Sequence, residues 1–356
     1  MHKCLLLLVL LLVLLLGACT DLDYYTQAAR GQYQILDRSQ PIAQLLADPT
    51  TPPLLRQRLA AVQSMREFAV QRLALPDNGT YRSYSDLRRP FAVWNVFAAP
   101  PLSLEGKQWC FPVVGCVSYR GYFEQAEAES LGKSLREAGW DVFVAGIPAY
   151  STLGWFDDPV LNTFAFWPSG RLADLLFHEL SHQQLYIADD TTFNESFATT
   201  VGRSGARLWL ERYGTAEELA EYRAFLERYD QFLELVLPVR DRLAEVYASD
   251  LDDTVKLQAK GAIFQQLRAD YARLRDSWEG YIAFDYWFSQ DLNNAKFAAL
   301  GAYNQWVPAF RILLQQSEHD FTAFYQAVEA LGNLPPQERE ARLRQLLAAQ
   351  RRAPLR

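Results

Sequence analysis

Phe177-His178-Glu179-Leu180-Ser181-His182, followed shortly by Asn194-Glu195-Ser196-Phe197-Ala198, is the stretch on which the reading of this chain turns. Ser169-Gly170 opens a helical pattern carrying Leu172, Leu175, Leu176 and Leu180, so the first hexapeptide belongs to a helix. Histidines four apart on a helix differ by about 40° in direction and about 6 Å in rise, so both rings can reach one metal ion. Glu179 lies one step round from His178, placed to reach a water on that ion without ligating it. This is the H-E-x-x-H arrangement, with the glutamate as general base. The chain has four histidines; His2 lies in the leader, and two of the other three fall within this pentapeptide. Composition alone would give such a match in roughly a few of every thousand chains this size. The bland alternative is a pair of surface histidines that hold nothing.

A tetrahedral catalytic zinc takes three protein ligands and leaves its fourth position open. No third histidine follows nearby, which excludes the three-histidine pattern. Asn194-Glu195 does follow, opening a second helical run through Gly202. His178 to His182 with Asn194-Glu195 downstream resembles the glutamate zincins, including thermolysin and the membrane alanyl aminopeptidases. The resemblance implies one Zn2+ ion held by His178, His182 and Glu195, with Glu179 catalytic and Asn194 a structural neighbour. Only twelve residues separate His182 from Glu195, fewer than in those families, so a shorter helix connection is required. Asp189-Asp190 suits a tight turn and the start of the next helix. The chain resembles more closely the bacterial putative aminopeptidase family, which pairs a short-spaced site with Cys-Phe-Pro-Val-x-Gly-Cys, here residues 110–116. That likeness covers most of the chain and is most specific over 109–123 and 175–203. It implies an α+β, helix-rich fold: a zincin-like core with a small sheet, an active-site helix pair and a long α-helical hairpin. It also implies peptide as substrate, and the aminopeptidase expectation comes from it alone.

The first residues bear on the compartment. Lys3 precedes a run of Leu and Val over 5–16 that is too short for a stable membrane span, which needs about 20 apolar residues. Leu16-Gly17-Ala18-Cys19 resembles the bacterial lipoprotein box, so residues 1–18 read as a signal peptide and Cys19 as the lipidated first residue. Thr20 follows, where an inner-membrane retention signal often places Asp. The expected location is therefore the cell envelope, anchored by lipid to the outer membrane and facing the periplasm. An uncleaved anchor or an ordinary signal is the alternative. A formal charge of −7, one unit more negative once Lys3 is gone, argues against nucleic acid as a partner. Cys110 and Cys116 are expected to form a disulfide in an oxidising periplasm. A metal pair is the rival reading, with a spacing unusual for zinc.

Residues 19–356 read as one domain. Helical patterns over 26–36 and 53–75 are followed by the turn signal Pro76-Asp77-Asn78-Gly79. Strand-like segments cover 91–97, 111–119 and 142–145, with a helix over 123–138 closed by Gly139. From 215 to about 275 the pattern becomes two long amphipathic helices with a turn at 250–253, an antiparallel hairpin insertion. The tail from Pro335 reads as a charged, peripheral helix.

Other candidates are weaker. Thr199 or Asp174 could orient a ligand, although Asp174 could equally favour its helix N-terminus. Residues 112–122 are the candidate edge for an added substrate strand, or an ordinary core strand. Tyr281, Tyr286 and above all Tyr303 could donate to an oxyanion. Glu124 or Glu127 could hold a free amine, and His319 beside Asp320 could shuttle a proton or be structural. Three functions compete: a zinc peptidase, an inactive zincin-fold lipoprotein serving as a binding or assembly module, and a zinc hydrolase of another amide such as a cell-wall cross-link.

Overall fold

A computed structural model describes residues 22–111, 115–149 and 151–352, without the side chains of 301–303 and 349–352. The signal, Cys19 and the 112–114 part of the candidate edge lie outside the described residues. The chain opens with α1 (residues 22–37), β1 (Ser39–Pro41), α2 (Ile42–Ala47) and α3 (Pro53–Leu73). Then come β2 (Ser83–Ser85), β3 (Val93–Ala99), β4 (Trp109–Phe111), β5 (Gly115–Val117), β6 (Arg120–Tyr122), α4 (Gln125–Glu137), β7 (Asp141–Ile147) and β8 (Val160–Leu161). The rest is helical: α5 (Ser169–Gln184), α6 (Thr191–Tyr213), α7 (Ala216–Ala248), α8 (Asp253–Asp276), α9 (Asp285–Ser289), α10 (Asn294–Asn304), α11 (Val307–Gln316), α12 (Phe321–Gly332) and α13 (Pro336–Arg352). The fold is α+β and helix-rich, as the sequence implies.

One antiparallel sheet matters for the site. Its order is β6-β3-β7, which leaves β6 as an edge. Strand residues alternate between faces. Trp94, Val96 and Ala98 pack with Ala128 and Leu131 of α4, so Val93 and Asn95 turn to the opposite side. The expected single strand over 111–119 is instead split. β4 ends at Phe111 and β5 begins at Gly115, with φ +73°, and the two pair as a separate hairpin across which Cys110 and Cys116 are bridged. Only 120–122 is left to form the sheet edge.

The main core gathers α3, α5, α6, α11 and α12. Phe177 and Leu180 of α5 meet Phe197 and Val201 of α6, with Phe310 and Phe324 behind. The α5–α6 crossing is unusually close because Gly202 and Gly205 carry no side chain. A Cβ on Gly202 would stand 2.4 Å from Asp174 Oδ1 and 2.7 Å from the Asp174 carbonyl oxygen. One on Gly205 would stand 2.8 Å from the Phe177 ring.

The expected hairpin is α7 and α8, started by a reciprocal cap between Thr215 and Glu218. It has its own apolar core, including Phe232, Leu243, Phe264 and Leu267. The tail differs from expectation. In α13, Leu343 is buried and Arg339 pairs with Asp190 while donating to the carbonyls of Gly332 and Leu334. Its charge pattern reads as solvated, but the guanidinium finds its partners across the fold, which no local pattern records.

Gly202→Val should cost about 1–3 kcal/mol, because the new side chain meets backbone that cannot swing aside. Urea unfolding measures this; an unchanged midpoint would mean that the helices separate freely.

Candidate metal centre

His178, Glu179 and His182 occupy the last two turns of α5, and Glu195 lies near the start of α6. The short connection is built by its own residues. Asn194, buried at 1 % exposure, accepts from the Ile187 N–H at 2.8 Å and donates to the Ile187 carbonyl at 2.7 Å. Asp190 caps α6 by accepting from the Phe193 N–H at 3.0 Å. Asp189, at φ +62°, accepts from the Cys116 N–H at 3.1 Å and ties the disulfide hairpin to the connection. A Cβ on Gly115 would lie 2.4 Å from that same Asp189 oxygen, so the glycine permits both the positive φ and the docking.

This framework brings the three expected ligands together. Glu195 Oε2 stands 3.1 Å from His178 Nε2 and 3.7 Å from His182 Nε2. All three donor atoms lie within 4.8 Å of one another. A tetrahedral ion with bonds of about 2.0–2.1 Å keeps its ligand atoms about 3.3 Å apart. The cluster is thus shaped to hold a metal ion, and two imidazoles with one carboxylate are a donor set suited to a divalent one.

The charges respond to each other. Burial disfavours a charged His178, but the bond and charge of Glu195 outweigh it and take the imidazole up to about 9. Burial would raise Glu195, yet the two histidines hold it well below the usual carboxylate range. Glu179 differs: burial lifts it despite the pull of His178 and His182, and its carboxyl bonds to no described residue.

These four side chains line a cleft of about 450 Å³. Val93 and Asn95 come from the sheet face, Tyr119 and Gly121 from the strand edge, and Tyr24 and Tyr25 from α1. No α7 or α8 residue lines it, so the hairpin does not roof the site. Other expectations are redirected. Asp174 accepts from the Tyr222 hydroxyl at 2.8 Å instead of orienting His178. Thr199 makes no hydrogen bond to Glu195 among the described residues, and His182 Nδ1 is buried without a partner there. Glu124 is exposed beside Arg89, and neither it nor Glu127 lines the cleft. Asp320 caps α12, Tyr286 is exposed, and Tyr281 packs on Trp278. The Tyr303 side chain lies outside the described residues. Tyr119 and Tyr186 line the cleft in their place, and the sequence reading missed both. Burial and then the charge of Glu195 push both phenols up, which keeps them as donors. Tyr186 lies past the end of α5, so the four-residue spacing of the histidines does not predict its place in the cleft.

A family model described as Putative aminopeptidase matches residues 23–343. The chain belongs to that family. No curated protein and no solved structure matches it. Membership in the putative aminopeptidases points to a hydrolase that acts on peptides.

One wall of this aminopeptidase-family cleft depends on a buried acid. Asp158 accepts from the Thr152 N–H at 2.8 Å and from its hydroxyl at 2.9 Å, holding the loop that carries Thr152 and Leu153 into the cleft. Burial raises its pKa from 3.8 to about 6 despite those bonds, and the Glu179 charge adds to the rise. Between about pH 4 and pH 6 the folded chain therefore keeps a proton that the unfolded chain has released. The contribution to stability is present below about pH 4 and is lost as pH rises through about 6. Its size is on the order of 3 kcal/mol. The stability of the parent minus that of Asp158→Asn should fall across this window and level off above pH 7. Melting curves at stepped pH give the difference, and a flat difference would show that Asp158 is not held neutral.

Proposed function

We propose that this protein is a zinc-dependent aminopeptidase, carried on the periplasmic side of a bacterial outer membrane by a lipid on Cys19. The observation that carries the catalytic reading is the convergence of His178, His182 and Glu195, with an unpaired Glu179 beside them in one cleft. The donor set fits Zn2+, which with three protein ligands leaves one position open.

A bound zinc ion would polarise the scissile carbonyl and lower the pKa of a water towards about 7. The chain's own groups account for the rest. Glu179 accepts the proton of the attacking water and returns it to the leaving amine, a role suited to a carboxyl that burial has lifted. Tyr119 and Tyr186 are protonated donors on the cleft wall, available for the developing oxyanion. β6 is an edge strand of its sheet, where an extended peptide can add through main-chain hydrogen bonds.

The anchoring rests on the leader and on Cys19. No helix of the described residues is long and apolar enough to cross a membrane. Because α1 is already helical at residue 22, lipid on Cys19 would hold the cleft close to the bilayer.

Residues 20–356 should bind close to one zinc per chain and cleave free-amine peptides. Glu179→Gln should keep the metal and lose about 100- to 10,000-fold in kcat. Metal analysis beside peptide assays tests both. Full activity in the variant would remove Glu179 from the mechanism, and metal without hydrolysis in the parent would favour the binding-module reading.

A further inference from the structure

The end of the cleft at α1 is built differently from the metal end. Gln27 of α1 accepts from the Phe123 N–H at 3.0 Å and donates to the Gly121 carbonyl at 3.4 Å. These are main-chain groups of the β6 edge, and the glutamine amide occupies them as a peptide unit of an added strand would. The helix is seated firmly there. A Cβ on Gly31 would stand 2.0 Å from the Phe123 ring, and Tyr24 stacks on Phe111 at 5.4 Å. A peptide lying along β6 from the metal cluster therefore meets α1 and cannot run through.

The lining of the cleft as a whole is selective in a second way. Val93, Val117, Phe123, Ile147 and Leu153 make it apolar. The carboxylates among the described lining residues are Glu195 of the candidate metal cluster and Glu179 beside it, and no described lysine or arginine lines it. A charged side chain would find no counter-ion there. One polar group stands out. Asn95 of β3 is 6 % exposed and lines the cleft, and its side-chain amide bonds to no described residue. Its Oδ1 would be 3.1 Å from a Cβ on Gly121, which puts the free acceptor at the strand edge. A buried amide normally has a partner, and this one faces open space.

Building on the aminopeptidase reading, we propose that α1 makes the cleft a blind pocket for a peptide's first residue. That residue carries a large apolar side chain, and Asn95 accepts a hydrogen bond from its free amine. The closed end then explains exopeptidase action through the fold, without any further carboxylate.

Two measurements on the full chain test this. In hydrolysis, peptides beginning with Leu or Phe should exceed those beginning with Ala by about 10- to 100-fold in kcat/KM. Those beginning with Lys or Glu should fall below Ala. In calorimetry on chelator-treated protein, leucine and phenylalanine should bind and N-acetyl-leucine should not. Asn95→Leu should weaken leucine binding at least 10-fold, whereas Asn95→Asp, which still accepts from an amine, should preserve it. Melting curves of both variants check folding. Faster cleavage of Lys or Glu peptides would overturn the pocket assignment and leave the aminopeptidase reading intact. Equal binding of N-acetyl-leucine, or leucine binding unchanged by Asn95→Leu, would overturn the role of Asn95. Selective leucine binding in a chain that hydrolyses no peptide would uphold the pocket and sink the enzyme reading.

Discussion

The molecule turns on one carboxylate reaching two imidazoles across a helix crossing. Glu195 can stand 3.1 Å from His178 only because α6 lies almost against α5, and Gly202 is what permits that approach. Gly202 sits two turns beyond Glu195, on the same side of the helix. The site is therefore fixed by backbone proximity as much as by ligand identity. Charged groups buried together are unfavourable unless they compensate one another, and here they do. His178 is held charged by Glu195, and Glu195 is held ionised by the two histidines.

The short connection between the helices makes this geometry possible and would be fragile alone. Its polar backbone is satisfied by Asn194, its end is capped by Asp190, and Asp190 is in turn held by Arg339 from the distant α13. Asp189 links the same turn to the disulfide hairpin. The two family-like segments of the sequence are thus one structural unit. The bridge stiffens the hairpin, the hairpin bonds the connection through Cys116, and the connection sets where Glu195 begins its helix.

What was legible in the sequence was what short-range spacing encodes. The i, i+4 histidines, the Asn-Glu start of the second helix, the Thr215 cap and the α7–α8 hairpin all express periodicity or local hydrogen bonding. Features set by long-range contacts were not legible. The tail helix reads as peripheral because the partners of Arg339 come from the turn before α6 and the end of α12. Asp174 was read against its own helix, while its partner Tyr222 sits on α7. Asn95 is an unremarkable residue in an apolar strand, and only the pairing of β3 with β6 beside α1 reveals its open position. The 111–119 segment differs for a local reason: its β-rich composition spans two short strands, the second beginning at a glycine of positive φ.

Two glutamates on adjacent helices share one cleft and are driven in opposite directions. Glu195 faces both imidazoles and is pushed down, while Glu179 is lifted by burial more than the histidines can offset. Environments that separate the pKa values of neighbouring acids are how one site assigns different tasks to the same side chain. The lowered carboxylate is the one suited to holding a cation, since it remains charged against proton competition. The raised one has an unspent acceptor and stands in the cleft, where a substrate must pass. A buried carboxyl without a hydrogen-bond partner is costly to any fold. Its position beside the metal cluster, and not within the core, is the argument for reading it as the group that moves the proton.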